Sequence, residues 1–319
     1  MNPLSLLYGA GVSWRNGLYE RGRLVTRHLQ APVVSVGSIS AGGAGKTPFL
    51  IMLGELLKER EFAFNVLSRG YGRKTKGVRL VDPSGMAQEF GDEPLLIARR
   101  LGVPVIVGED RYEAGRFAEE KFGLQAHLLD DGFQHRRLAR DFDIVLITQR
   151  DLHDRLLPAG RLREPLSSLE RASALVFVDD TQAEGIPVCA GQRAWRARRG
   201  IVALETKDTC FAFCGIARPE TFFTDLGKAG VTVVGTRAFR DHHAYTAQDV
   251  EGLYRLGQGS GATAFVTTEK DAVNLGEHAE QLRPLHVVRV QMEFEGGAEL
   301  AIAAVVDLMR QQVETRVRE

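Results

Sequence analysis

An apolar run, Val33-Val34-Ser35-Val36, leads into Ser40-Ala41-Gly42-Gly43-Ala44-Gly45-Lys46-Thr47, and from there into Pro48 to Arg60 with leucines 50, 53, 56 and 57 on one side. Strand, glycine-rich loop and helix in that order constrain the fold more than any other feature of the chain. Glycines let successive backbone N–H groups turn inward around phosphate oxygens, and the opening helix adds the positive end of its dipole. Lys46 is placed to reach terminal phosphates and the Thr47 hydroxyl to hold Mg²⁺. Ser40 stands where the usual phosphate-loop pattern begins with glycine. A guanine reader of the form Asn-Lys-x-Asp is absent. The nearest approach, Thr267-Thr268-Glu269-Lys270-Asp271, has Glu for Asn and the wrong spacing, so ATP is the expected nucleotide.

Further β-branched and apolar runs follow at residues 64–67, 105–107, 128–129, 144–147 and 175–178, separated by helical segments. Strands buried on both faces and alternating with helices predict a parallel, doubly wound sheet of the α/β class, built as a P-loop NTPase core. The stretch 189–203, with Arg193, Arg196, Arg198 and Arg199, reads as a linker or hairpin after a core spanning 1–188. Runs at 211–213, 231–234, 264–267 and 287–290 then predict a second, smaller α/β domain over 204–319. Its last helix, over 299–312, is free to pack back on the core.

Lys+Arg and Asp+Glu both number 41 in 319 residues, so no global field favours nucleic acid. Cys189, Cys210 and Cys214 are an odd set without a second Cys/His pair nearby. Small buried hydrophobes in a reducing compartment fit them better than a disulfide framework or zinc. No stretch is apolar for long enough to span a membrane, and no secretory pattern opens the chain. The first twenty residues are nonetheless unusual. Leu4, Leu7, Tyr8, Val12, Trp14, Leu18 and Tyr19 alternate with glycines, and Arg15, Arg21, Arg23 and Arg27 flank them. Such a segment either lies in a membrane interface or packs as a first helix on the core.

Polar motifs fall just after the apolar runs, at the edge where α/β sheets place their sites. Leu128-Leu129-Asp130-Asp131 ends a strand in two acids, one suited to a Mg²⁺ shell and either suited to capping the next turn. Asp92 in Gly91-Asp92-Glu93-Pro94 fits a helix cap and equally a proton acceptor beside bound ATP. Arginines after three other runs, among them Arg69, Arg73, Arg111, Arg161 and Arg163, would converge on anionic groups. In the second domain Asp241-His242-His243 could form a proton acceptor. A kinase, a P-loop ATPase that switches a protein partner, and a non-catalytic nucleotide-binding regulator all remain compatible with these residues.

Taken together, residues 40–48, 67–73, 91–94, 130–135, 158–165 and 267–271 resemble the tetraacyldisaccharide 4′-kinase family, the lipid A 4′-kinases of Gram-negative bacteria, over nearly the whole chain and in order. The resemblance implies Mg²⁺-dependent transfer of the γ-phosphate of ATP to the 4′-hydroxyl of an acylated disaccharide 1-phosphate, forming lipid IVA. It also implies work at the cytoplasmic face of the inner membrane, with the N-terminal helix touching that surface. Asp92 is then the base, His242 rather than His243 its partner, and Lys46 the phosphate-binding lysine. Thr47, Glu93, Asp131 and Gln134 become candidates for the metal shell. Arg111, Asp130, His135, Arg163 and Glu164 are expected toward the substrate, and Arg73 or the arginines of 193–199 toward its 1-phosphate. Arg161 departs from the proline common at its position in that family, a change expected to be tolerated on a loop.

Overall fold

The computed structural model describes residues 2–318 apart from 124–125, 183–185, 187 and 297. Helix α1 (Pro3–Glu20) precedes strand β1 (Val33–Ser38) and helix α2 (Lys46–Glu59). Then come β2 (Asn65–Ser68), β3 (Arg79–Leu80), α3 (Ala87–Phe90), α4 (Asp92–Leu101), β4 (Val105–Val107), α5 (Arg111–Phe122), β5 (His127–Asp130), β6 (Phe142–Ile147), β7 (Ala174–Val178) and β8 (Arg193–Ile201). A second group comprises β9 (Thr209–Cys214), α6 (Pro219–Lys228), β10 (Thr232–Ala238), α7 (Ala247–Gly259), β11 (Ala264–Thr268), α8 (Glu269–Leu275) and β12 (Leu285–Val288). The chain ends with β13 (Val290–Phe294) and α9 (Ala298–Arg318).

Nine strands form the larger sheet in the order β13-β8-β7-β6-β1-β5-β2-β4-β3. All neighbours from β8 to β4 pair parallel, and β3 and β13 close the two edges antiparallel. Every residue of β1, β2, β4, β5, β6 and β7 is buried, as a sheet covered on both faces requires. One face is covered by α2 and α4, whose Phe49, Leu50, Leu53, Leu57, Leu95 and Leu101 are fully buried. The smaller sheet is parallel throughout, in the order β10-β9-β11-β12.

One expectation is overturned. The stretch 189–203 is not a linker or hairpin, because Arg193–Ile201 is a strand of the larger sheet, parallel to β7 and antiparallel to β13. Its arginines concealed a period of two. Trp195 and Ala197 turn inward, with Trp195 stacked on Phe142 and edge-on to Phe294, while Arg196 and Arg198 bond outer partners. After the smaller sheet the chain returns, adding β13 beside β8 and burying Val305, Val306 and Met309 of α9 in the main core. Cys210 and Cys214 lie buried among the apolar residues of the smaller sheet.

Candidate active site

Between β1 and α2 the loop turns through Gly42 and Gly43 at φ of 67° and 76°, a conformation that L side chains resist. Gly45 caps α2 with no side-chain hydrogen bond, so the first N–H groups of the helix stay open for an anion. Lys46 Nζ lies 3.2 Å from Ser38 Oγ and 3.4 Å from Asp131 Oδ1. Above this loop a crevice of about 920 Å³ opens between the carboxyl ends of both sheets, with Thr47, Glu93, Arg111, Asp130, Asp131, Gln134, His135, Arg163 and His242 on its walls.

Across the crevice the two domains meet through a hydrogen-bonded carboxylate and imidazole. Asp92 is the first residue of α4, behind Gly91, and it accepts the Glu93 N–H as well as a hydrogen bond from Asn274 Nδ2 at 3.0 Å. The Nδ1 of His242 lies 2.9 Å from Asp92 Oδ2, and His242 is held at φ 60°. A left-handed backbone at a non-glycine residue costs on the order of 1–3 kcal/mol, strain that the surrounding structure must impose. Burial pushes the Asp92 carboxyl up, yet the His242 bond, the Lys270 charge and the Asn274 bond outweigh it and hold the group at about 2. Burial pushes the imidazole down, and its bond to Asp92 raises it above the ordinary value. Asp92 is only 4% exposed and does not line the crevice, whereas His242 does. His243, by contrast, stacks on Phe239 and pairs with Asp249 at 3.1 Å, a packing role within the smaller domain.

At the end of β5 the two acids differ sharply. Both oxygens of Asp131 meet Arg163 at 2.8 Å; against burial, Lys46 and Arg163 hold this carboxyl well below the usual range. Asp130 accepts from Ser68 Oγ at 2.8 Å through one oxygen, while the other is buried without a partner. Burial, then the charges of Glu93 and Asp131, push it up to about 7. Gln134 likewise donates to Ser38 O and Glu164 while its Oε1 is buried unpaired. His135 Nε2 and Arg111 Nε are also buried without partners, and burial with the nearby Arg111 charge lowers His135 to about 4.

Two expected substrate residues lie elsewhere. Arg73 donates to Gly77 O and Glu109 at 2.7 Å and is not on the crevice wall. Glu164 is buried behind the wall, where it accepts from Asn16 at 2.8 Å, Gln134 at 3.0 Å and Arg171 at 2.7 Å, tying α1 to the core. The sequence reading also missed Lys270. Its Nζ lies 3.3 Å from Glu93, 3.2 Å from Asp241 and 3.3 Å from His242 Nε2. Burial lowers its affinity for a proton, but Glu93, Asp92 and Asp241 outweigh that and hold it above the usual lysine range. Its signal was available, since it follows the carboxyl end of a buried strand.

For Mg²⁺, the unpaired oxygens of Asp130 and Gln134, with Glu93 and the Thr47 hydroxyl on the same walls, are hard donors of the right kind. Among the described residues no three His, Cys, Asp or Glu side chains cluster closely enough to hold a metal by themselves. That agrees with an ion held by one or two carboxylates plus nucleotide phosphates, as Mg²⁺ commonly is.

An open phosphate loop, a paired lysine and an aspartate–histidine couple facing one crevice define an ATP-dependent phosphotransferase of the P-loop class. The family model described as tetraacyldisaccharide-1-P 4'-kinase matches residues 1–307, and the chain belongs to that family. A tetraacyldisaccharide 4'-kinase of Koribacter versatilis is 48% identical, covering 98% of this chain and 99% of its own. The Aquifex aeolicus protein of that name is 38% identical, over 86% and 88%. A crystal structure of Aquifex aeolicus LpxK in complex with ATP superimposes with a TM-score of 0.77 at 34% identity, covering 96% of this chain and 98% of that one.

Proposed function

We propose that the chain transfers the γ-phosphate of ATP to the 4′-hydroxyl of tetraacyldisaccharide 1-phosphate, with His242 receiving the hydroxyl proton. The observation that carries this reading is the Asp92–His242 couple, which joins two domains at the crevice that begins on the phosphate loop. The imidazole donates Nδ1–H to Asp92 and so leaves Nε2 as an acceptor, a place that Lys270 Nζ approaches at 3.3 Å and that the substrate hydroxyl would take over. The resemblance makes Asp92 the base; its burial favours the reverse division of labour, with Asp92 orienting and charging the imidazole. As the acceptor oxygen bonds to phosphorus, the bond from phosphorus to the bridging oxygen of ADP breaks. Lys46 and the N–H groups of the loop stabilise the charge that develops on the phosphates. Thr47, Glu93, Gln134 and Asp130, the last in place of the expected Asp131, whose oxygens are taken by Arg163 and Lys46, would hold Mg²⁺, which supplies charge neutralisation at the phosphates.

Helix α1 supports work at a membrane surface, and the family resemblance makes that surface the cytoplasmic face of the inner membrane. Its polar groups point inward: Ser5 Oγ donates to Leu156 O, Tyr8 Oη to Arg163 O, and Asn16 to Glu164. Leu4, Leu7 and Trp14 are 60%, 70% and 72% exposed. An outward apolar face flanked by exposed arginines suits an anionic lipid surface. No helix of the described residues is long and apolar enough to cross a membrane.

The test is transfer of labelled γ-phosphate from ATP to tetraacyldisaccharide 1-phosphate in micelles, with Lys46→Ala alongside. A bis-phosphorylated lipid made by the wild type, and made roughly 10²- to 10³-fold more slowly or not at all by the variant, is expected. Release of inorganic phosphate alone by the wild type would favour an ATPase that switches a protein partner. Binding to anionic vesicles should drop in Leu7→Asp/Trp14→Asp, and undiminished binding would remove α1 from the membrane contact.

A further inference from the structure

Four successive carbonyls of the phosphate loop accept hydrogen bonds from guanidinium groups. Ser40 O accepts from Arg163 at 3.0 and 3.2 Å, Ala41 O from Arg161 at 2.6 and 3.1 Å, Gly42 O from Arg161 at 3.1 Å, and Gly43 O from Arg199 at 3.4 Å. Across a planar trans peptide the C=O and the next N–H point in opposite directions. Holding the carbonyls of Ala41 and Gly42 on Arg161 therefore also fixes the N–H groups of Gly42 and Gly43, which point the opposite way. These are the residues whose backbone is least constrained by its own chemistry, because glycine has the widest choice of φ and ψ.

Arg161 differs from its neighbours in the collar. Arg163 is shared with Asp131 and Arg199 with Asp179, whereas among the described residues Arg161 hydrogen-bonds through its side chain only to these two loop carbonyls. Its backbone is anchored separately, with Ala41 N–H donating to Arg161 O at 2.8 Å and Ser40 bridged to Leu162. Substituting the side chain thus leaves the attachment of this segment in place.

We propose that Arg161 is a positioning residue for the nucleotide, pinning two successive peptide planes of the empty phosphate loop in the one orientation that ATP binds. Without it the glycine peptides sample other orientations, and ATP binds only the fraction that is correctly turned, so apparent affinity falls by that fraction. The proposal rests on ATP occupying this loop.

The experiment compares wild type, Arg161→Ala and Arg161→Lys in two measurements. In nucleotide-free protein, amide exchange across residues 41–45 is expected to quicken about tenfold in the alanine variant, with an intermediate rate in the lysine variant. ATP affinity by calorimetry should weaken by a similar factor and the KM for ATP rise with it, while kcat and the KM for the acceptor stay within about twofold. Unchanged loop exchange together with unchanged ATP affinity would overturn the role. So would a fall in kcat at constant KM for ATP. A wild type that binds no ATP would sink the nucleotide reading itself, an outcome separable from either of these.

Discussion

The two halves of the crevice are built on opposite plans. Around the phosphate loop the charges are already satisfied, with Lys46 on Asp131 and Ser38, and Arg163 on Asp131 and Ser40. On the walls beyond the loop, Asp130, Gln134, His135 and Arg111 each bury a polar atom that has no hydrogen-bond partner. An unpaired buried polar atom costs on the order of 1–3 kcal/mol. Lys46 and Arg163 are thus paired when the loop is empty, whereas those walls are held ready at a cost that an arriving ligand or ion can offset.

The contrast is sharpest at the couple joining the halves. His242→Ala and Asp92→Asn should each lower kcat by roughly 10²- to 10⁴-fold with little change in the KM for ATP. A base must be unprotonated, so wild-type kcat should fall as pH drops through the raised His242 value. Asp92→Asn removes the charge that raises it and should shift that acid limb to lower pH. An unshifted limb would return the proton to another group.

Next in size is the buried support at Glu164. Glu164→Ala leaves Arg171 without its carboxylate and should destabilise the fold by about 3–5 kcal/mol, measured by denaturant unfolding. Burial raises this carboxyl, but Arg171, Asn16 and Gln134 outweigh it, so the folded group titrates below its ordinary 4.5. Its contribution should be complete above that value and disappear as pH falls through the lowered one. Equal losses at pH 7 and pH 3 would contradict this.

Asp130 carries the opposite sign. Its folded carboxyl binds a proton up to about 7, so its favourable share of stability, full below 3.8, is lost as pH climbs through that window. Asp130→Asn should make the nucleotide-free protein more stable by roughly 1–3 kcal/mol at pH 8, by less at pH 5 and not at all below pH 3.8, while slowing transfer. A variant no more stable at pH 8 would mean that this wall bears no such cost. The smallest effect belongs to Arg73→Ala, where both transfer and the KM for the lipid should stay within about twofold of wild type. A large rise in that KM would place Arg73 at the substrate after all.

Local pattern made the nucleotide half readable in the sequence. Residues 40–47 carry their geometry in their own glycines and in the strand and helix that flank them. Asp92 and His242 could be paired only through resemblance, because 150 positions separate two groups that meet across a domain boundary. Glu164 and Arg73 sit in charged motifs that look alike in sequence, and only packing separates a residue facing inward from one facing a ligand. Strand β8 was missed because an arginine stem can cover apolar surface while its head stays in water, which hides alternation from a reading based on charge. Lys270 was visible as a motif but not as a hub, since its partners come from two distant segments, Asp92–Glu93 and Asp241–His242.

The return of β13 to the edge of the larger sheet sets an order of events during synthesis. Strand β8 leaves the ribosome with one side unpaired, and the whole smaller domain must follow before β13 arrives to cover it. During that interval a bare strand edge is open to any chain that can add to it. A message truncated just before Val290 would therefore encode both the phosphate loop and the smaller domain, yet yield a protein prone to self-association.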